Sequence, residues 1–292
     1  MLSQIQPSYI SSFDGTRLAV YDVGKPKGPT VLLINGLGGN LATWKHIVGN
    51  FEDRIRFISF DYRGMYKSKA PANKDYSMET HAKDALAVLE YFGVGEVLVM
   101  GWSMGVQVCL EFYRLAAARV IGLILANGAY GKPLDKGFPG MKKLGLLSMD
   151  LLAVAAPLLR PFLVKPLTSS KLPVKAAKLS GFVSEKLDEE VFVPLARDFM
   201  QLDFVNYREC VRSLVEHDAE HVLGRISVPT LIISGGRDLF TPAHISEEMV
   251  ERIPNAELLH IRDASHYGAV EYPELINTRI SNFLRDRLHF LS

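Results

Sequence analysis

The chain has 292 residues, 48% of them hydrophobic and 22% charged, which is ample for a large core and excludes a disordered or disulfide-stapled chain. Lys and Arg number 33 against 32 Asp and Glu, a formal net charge of +1. That balance argues against a dedicated nucleic-acid binder, in which basic residues are in excess. Cys109 and Cys210 lie far from any paired-cysteine spacing, so neither a disulfide framework nor a structural zinc site is expected.

The opening stretch, MLSQIQPSYI, has neither the cationic nor the apolar region of a signal peptide, and a cytoplasmic, reducing location is expected. A hairpin follows: Tyr9 to Phe13 and Arg17 to Val23 flank Asp14-Gly15, a dipeptide suited to positive φ in a tight turn. Then short apolar runs alternate with helical patterns. The runs are Thr30 to Ile34, Arg56 to Phe60, Val97 to Met100, Ile121 to Ala126, Thr230 to Ser234 and Glu257 to Ile261. Several are apolar on both faces, as strands inside a parallel sheet are. Ser77 to Tyr91 begins at a Ser N-cap and sets Ala82, Ala85, Leu86 and Leu89 on one side, and Met104 to Leu115 follows a strand directly. This alternation predicts an α/β fold with a mostly parallel central sheet flanked by helices.

Between Ala126 and Pro229 the alternation stops and only helical patterns remain, broken by Gly and Pro. Residues 131–204 are therefore expected to form a helical cap, with residues 1–130 and 205–292 as the core. The segment from Gly131 to Lys186 holds ten basic residues against three acidic ones and includes the apolar run MKKLGLLSMDLLAVAAPLLRPFLV. Asp150, Pro157, Arg160 and Pro161 interrupt that run too often for a membrane span. The favoured reading is a packed cap with solvated lysines, such as Lys142, Lys143, Lys171 and Lys175. Weak docking to a lipid surface is the alternative.

Gly101-Trp102-Ser103-Met104-Gly105 fits G-x-S-x-G between a buried run and a helical segment. A sharp strand-to-helix turn forces the serine hydroxyl out at the C-terminal edge of the sheet and demands small neighbours, and the helix N-terminus adds free N–H groups beside it. A serine nucleophile needs a base, usually His. Of eight histidines, His46, His81, His244 and His289 fall in helix-like positions expected to be solvated, His217 and His221 flank an acidic stretch, and His260 lies in a strand. His266 alone occupies a loop just after a strand, where open α/β sheets assemble sites. The base needs a carboxylate to fix its tautomer. Asp238, directly after the buried run TLIIS in Ser234-Gly235-Gly236-Arg237-Asp238, is preferred to Asp263, whose closeness in sequence to His266 suits a local turn better.

The order Ser103, Asp238, His266 resembles that of the α/β-hydrolase family, in its capped esterase, lipase and C–C hydrolase branch. Asn35-Gly36, Asp61-Tyr62-Arg63-Gly64, GWSMG, the block VPTLIISGGRD and Glu271 with Pro273 carry the resemblance over nearly the whole chain outside the cap. It implies a Ser-His-Asp triad and an oxyanion hole made by the backbone N–H groups of Met104 and Leu37. Two positions depart from the family pattern: Asn35 stands where His is usual, and Tyr66 where Gly is common. The serine at position 103 speaks against dehalogenase and epoxide hydrolase chemistry, which use Asp there. The implied activity is cleavage of carboxylic esters, and the apolar residues of the cap lead us to expect a preference for apolar, short to medium acyl groups. C–C bond hydrolysis, lactone hydrolysis and cofactor-free perhydrolysis on the same triad are the alternatives, with a non-catalytic ligand sensor behind them. The partner expected is a small-molecule ester, and no metal or cofactor is called for. Oligomeric state is left open.

Overall fold

The structure, a computed structural model, describes residues 2, 5–137, 147, 150–151 and 172–290. Eight strands form one sheet: β1 (Ser8–Ser11), β2 (Arg17–Gly24), β3 (Thr30–Ile34), β4 (Arg56–Phe60), β5 (Val97–Trp102), β6 (Val120–Ala126), β7 (Thr230–Gly235) and β8 (Ala256–Ile261). Their order is β1-β2-β4-β3-β5-β6-β7-β8. β2 pairs antiparallel with β1 and β4, and all the other pairs are parallel. The hairpin connection is longer than two residues. β1 stops at Ser11, Gly15 takes φ +84°, and the Asp14 carboxylate accepts from Thr16 N–H at 3.0 Å.

Side chains alternate along each strand, so the sheet feeds two cores. Leu32, Val99 and Ile232 face α2 (Met78–Tyr91), α3 (Met104–Ala116) and α9 (Ala243–Arg252). Val31, Leu98 and Ile233 face α1 (Lys45–Phe51) and α10 (Pro273–Asp286). Every residue of β5 and β7 is buried, which explains their unbroken apolar runs. Helix α2 starts where the sequence predicts: Ser77 caps it by accepting from Thr80 N–H at 3.2 Å.

The strand order also positions the site. The chain leaves β3 toward β4 on one side, whereas it leaves β5 toward β6 on the other. Connections that part in opposite directions open a crevice at the C-terminal edge between those two strands. The loop after β3 and the turn after β5 flank that crevice.

Over it lie elements between β6 and β7: α4 (Pro133–Gly137), α5 (Leu172–Leu179), α6 (Glu189–Phe199), α7 (Phe204–Glu216) and α8 (Glu220–Leu223). The only pairing of extended backbone among the described residues here is one isolated bridge, Gly131 with Asp218. Most of the apolar run of the expected cap, with Lys142, Lys143 and Lys171, lies outside the described residues, and Lys175 is exposed. Among the described residues no helix is long and apolar enough to cross a membrane.

Candidate active site

Ser103 sits between β5 and α3 with φ +58° and ψ −122°. A left-handed φ is costly for a residue with a Cβ and persists only where the surroundings fix it. Here they do: Ser103 N–H donates to the Ala126 carbonyl at 2.9 Å. On the helix side, a Cβ at Gly105 would lie 2.3 Å from the Ile34 carbonyl oxygen, and one at Gly36 would lie 2.5 Å from the Trp102 ring. Only glycines let the end of β3 and the start of α3 approach this closely. Met104 opens α3, where helix geometry leaves its N–H without an intrahelical acceptor. Leu37 lies across the crevice in a turn closed by Gly39 N–H to the Gly36 carbonyl, 2.9 Å.

His266 follows β8. Its Nε2 is 2.8 Å from Ser103 Oγ, and its Nδ1 is 2.8 and 3.0 Å from the two oxygens of Asp238. An ionised carboxylate only accepts, so Nδ1 carries the proton and Nε2 presents its lone pair to the serine hydroxyl. The Trp102 indole N–H donates to the His266 carbonyl at 2.9 Å, and the Trp102, Phe240 and Tyr267 rings surround the imidazole.

Asp238 is buried at the exit of β7 and is saturated with donors. Oδ1 accepts from the N–H groups of Phe240 (2.8 Å) and Thr241 (2.9 Å), and Oδ2 from the Thr241 hydroxyl (2.7 Å) and Asn127 Nδ2 (3.1 Å). Burial by itself would raise the pKa of this carboxyl. The facing His266 and the hydrogen bonds from it and from Thr241 outweigh burial and hold the pKa below the ordinary value. Asp263, the rival, is exposed and pairs with the exposed Arg237 at 2.9 Å. The structure thus brings Ser103, His266 and Asp238 into one hydrogen-bonded line, and Leu37 and Met104 border the same cavity as Ser103.

Other residues support the site, and of these Asn127 carries no local sequence signal. Asn127, at φ +46° after β6, reaches both Asp238 and the Ser265 carbonyl. The buried Glu271 accepts from Ser265 N–H (2.8 Å), the Ser265 hydroxyl (2.6 Å) and Ser184 N–H (2.7 Å), tying the His266 loop to the segment above it. Asn35 proves to be a loop anchor. Its Nδ2 donates to the Phe60 carbonyl (3.0 Å), its Oδ1 accepts from the Trp44 indole (2.7 Å), and its carbonyl accepts from the Tyr62 hydroxyl (2.6 Å).

One histidine differs from expectation. His81 is fully buried, with Nε2 3.2 Å from Cys210 Sγ and its ring against Tyr62. It lies three residues after Met78 and four before Ala85, on the inward stripe of α2. Burial, aided by the nearby Arg63 charge, pushes its pKa down to about 3.

The cavity in front of Ser103 and His266 has a volume of about 510 Å³. Phe182, Phe192, Leu195, Phe199 and Val211 line its outer wall, and no Lys, Arg, Asp or Glu borders it among the described residues. A serine hydroxyl facing an oriented imidazole, in an apolar chamber, can be deprotonated as it attacks an electrophilic carbon.

The chain belongs to the alpha/beta hydrolase fold family, whose sequence profile matches residues 29–273. It is 25% identical over 262 residues to 3-oxoadipate enol-lactonase 2 of Acinetobacter baylyi, covering 90% of this chain and 91% of that protein. Among solved structures, an esterase from Exiguobacterium antarcticum is similar with a TM-score of 0.78 at 24% identity, covering 96% of this chain and 99% of that one. A bromoperoxidase from Bacillus anthracis gives a TM-score of 0.77 at 21% identity, covering 96% and 100%.

Proposed function

We propose that this protein is a serine hydrolase that cleaves carboxylic esters of apolar, short to medium acyl groups through an acyl-enzyme. The observation that carries the reading is the Ser103–His266–Asp238 line, with its 2.8 Å contacts, opening into a cavity that has no charged side chain on its walls among the described residues. In this mechanism Ser103 Oγ attacks the ester carbonyl while His266 Nε2 takes its proton. The oxyanion that develops is held by the N–H groups of Leu37 and Met104, a pair that can supply several kcal/mol, on the order of 3 to 4 per donor. His266 then returns the proton to the departing alcohol, and water repeats the cycle on the acyl-enzyme. Asp238 keeps the imidazole in the required tautomer and stabilises its cation.

Lactones form the second reading, supported by the similarity to an enol-lactonase. A lactone is a ring ester, and the same steps open it with the alcohol still attached. Among the described residues the lining is neutral, which favours substrates without carboxylates, since a charged group would be desolvated against it.

The test is a series of p-nitrophenyl esters of increasing acyl length, with a neutral alkyl lactone beside it. Each buried methylene contributes about 0.8 kcal/mol, about four-fold in kcat/KM, until the cavity is full. The expected profile rises from acetate to a maximum and then falls. Acetate as the best substrate, or cleavage of a vinylogous diketone with no ester turned over, would overturn the ester reading.

A further inference from the structure

The turn after β3 carries the Leu37 N–H, and beyond Asn35, which anchors its start, it has few side chains of its own to hold it. Gly36, Gly38 and Gly39 make up three of its first five residues. Gly38 takes φ +73°, and the one internal hydrogen bond is Gly39 N–H to the Gly36 carbonyl. A glycine turn is conformationally free unless something outside it holds it.

Tyr66 supplies that hold from behind: its hydroxyl donates to the Gly38 carbonyl. The residue is partly buried and takes φ +47°, a region that an aromatic side chain rarely occupies. Its backbone is pinned on both sides. Met65 N–H donates to the Tyr62 carbonyl (2.9 Å), Lys67 N–H to the buried Asp61 carboxylate (3.2 Å), and Ser68 N–H to the Met65 carbonyl (3.0 Å). Burial, with the Asp61 charge adding to it, pushes the Tyr66 hydroxyl pKa above its ordinary value, so it stays a donor across the working pH range.

Tyr66 borders a separate cavity of about 260 Å³ behind the turn, and it is absent from the lining of the chamber that holds Ser103. It therefore acts on the site only through the turn. On the opposite side Phe199 presses on the same glycine: a Cβ at Gly38 would lie 2.6 Å from Phe199 Cδ2. Tyr66 and Phe199 thus both bear on Gly38.

We propose that Tyr66 is a positioning residue whose hydroxyl, by holding the Gly38 carbonyl, sets the turn that aims the Leu37 N–H at the developing oxyanion. Such a residue acts on the transition state and leaves substrate binding alone. The kinetic part of this rests on the ester-hydrolase reading; the structural part does not.

Tyr66→Phe keeps the ring and removes the donor. With p-nitrophenyl butyrate, kcat is expected to fall about ten-fold, less than the loss of a whole oxyanion donor, with KM changed by no more than about two-fold. An alkyl trifluoromethyl ketone, which adds Ser103 to form an oxyanion, should bind more weakly by the same factor, while the matching methyl ketone is unaffected. Hydrogen exchange at residues 36–39 should quicken. If Tyr66→Phe fails to fold, Tyr66→Asn, which tolerates the left-handed φ, takes the same measurements. Wild-type kcat, ketone affinity and exchange in the variant would overturn the proposal. So would equal weakening of both ketones together with a lower Tm, the signature of a merely structural role. Faster exchange in the turn of a protein that cleaves no ester would support the anchor and refute the ester reading, so the two failures are distinguishable.

Discussion

Replacing Asp238 by Asn tests how the site sets its tautomer, because the surroundings dictate which way the amide must face. Oδ1 of Asp238 accepts two backbone N–H groups, from Phe240 and Thr241 at 2.8 and 2.9 Å. Those donors cannot turn away, so the amide oxygen of the variant takes that place. Its NH₂ then occupies the position of Oδ2, 2.8 Å from His266 Nδ1 and 3.1 Å from the Asn127 Nδ2 donor. The nearer group to Nδ1 is then a donor, which favours Nδ1 as its acceptor over the 3.0 Å contact with the amide oxygen; the proton moves to Nε2, and the lone pair that faced Ser103 is gone. The expected fall in kcat is about 10⁴, as for other triads whose carboxylate is amidated. The unpaired contact between two donors should cost about 1–3 kcal/mol of stability. Steady-state hydrolysis of p-nitrophenyl butyrate at neutral pH, with urea unfolding of the same samples, reads both quantities. Asp263→Asn, at an exposed residue paired with Arg237, should retain kcat within about two-fold. A kcat for Asp238→Asn within about ten-fold of wild type would refute the tautomer argument.

Ser103→Ala and His266→Ala should each reduce kcat by about 10⁴ to 10⁶, and the double variant should be hardly worse than either, because the groups work as a unit; additive losses in ester turnover would separate their roles. Stability should also fall in acid through His81. Its pKa is about 3 in the folded protein against an ordinary 6.5, so its contribution is complete above 6.5 and is lost as pH drops toward 3. Between about pH 7 and about pH 5 this amounts to about 2 kcal/mol. In urea unfolding, wild type should lose that much more than His81→Phe; an equal loss in both would show that His81 is not held neutral by burial.

The parts of the molecule legible in the sequence are those encoded by neighbours along the chain. The buried run Thr30 to Ile34 is β3 to the residue, and Ser77 caps α2 as its hydroxyl predicts. What was hidden is long-range contact. Strand order cannot be read from apolar runs, yet it is the order β4-β3-β5 that opens the crevice. Asn127 reaches a carboxylate 111 positions away, and Tyr66 reaches a carbonyl 28 positions away. Tyr66 was visible only as a departure from a family pattern, without the partner that gives it meaning. His81 is a different case. Read as a polar residue of a helix it is expected in solvent, whereas the structure sets it on the buried stripe of α2 with Met78 and Ala85. Its burial becomes intelligible only once Cys210 and Tyr62 are seen packed around it.

The central claim is that Ser103 is the group that takes up the acyl chain. An alkyl fluorophosphonate traps such a serine as a stable adduct in the oxyanion geometry, and intact-mass and peptide mass spectrometry locate it. One equivalent on the peptide carrying Ser103, absent in Ser103→Ala and strongly slowed in His266→Ala, is the expected result. Labelling of Ser103→Ala to the wild-type extent, or wild-type ester turnover by that variant, would contradict the account.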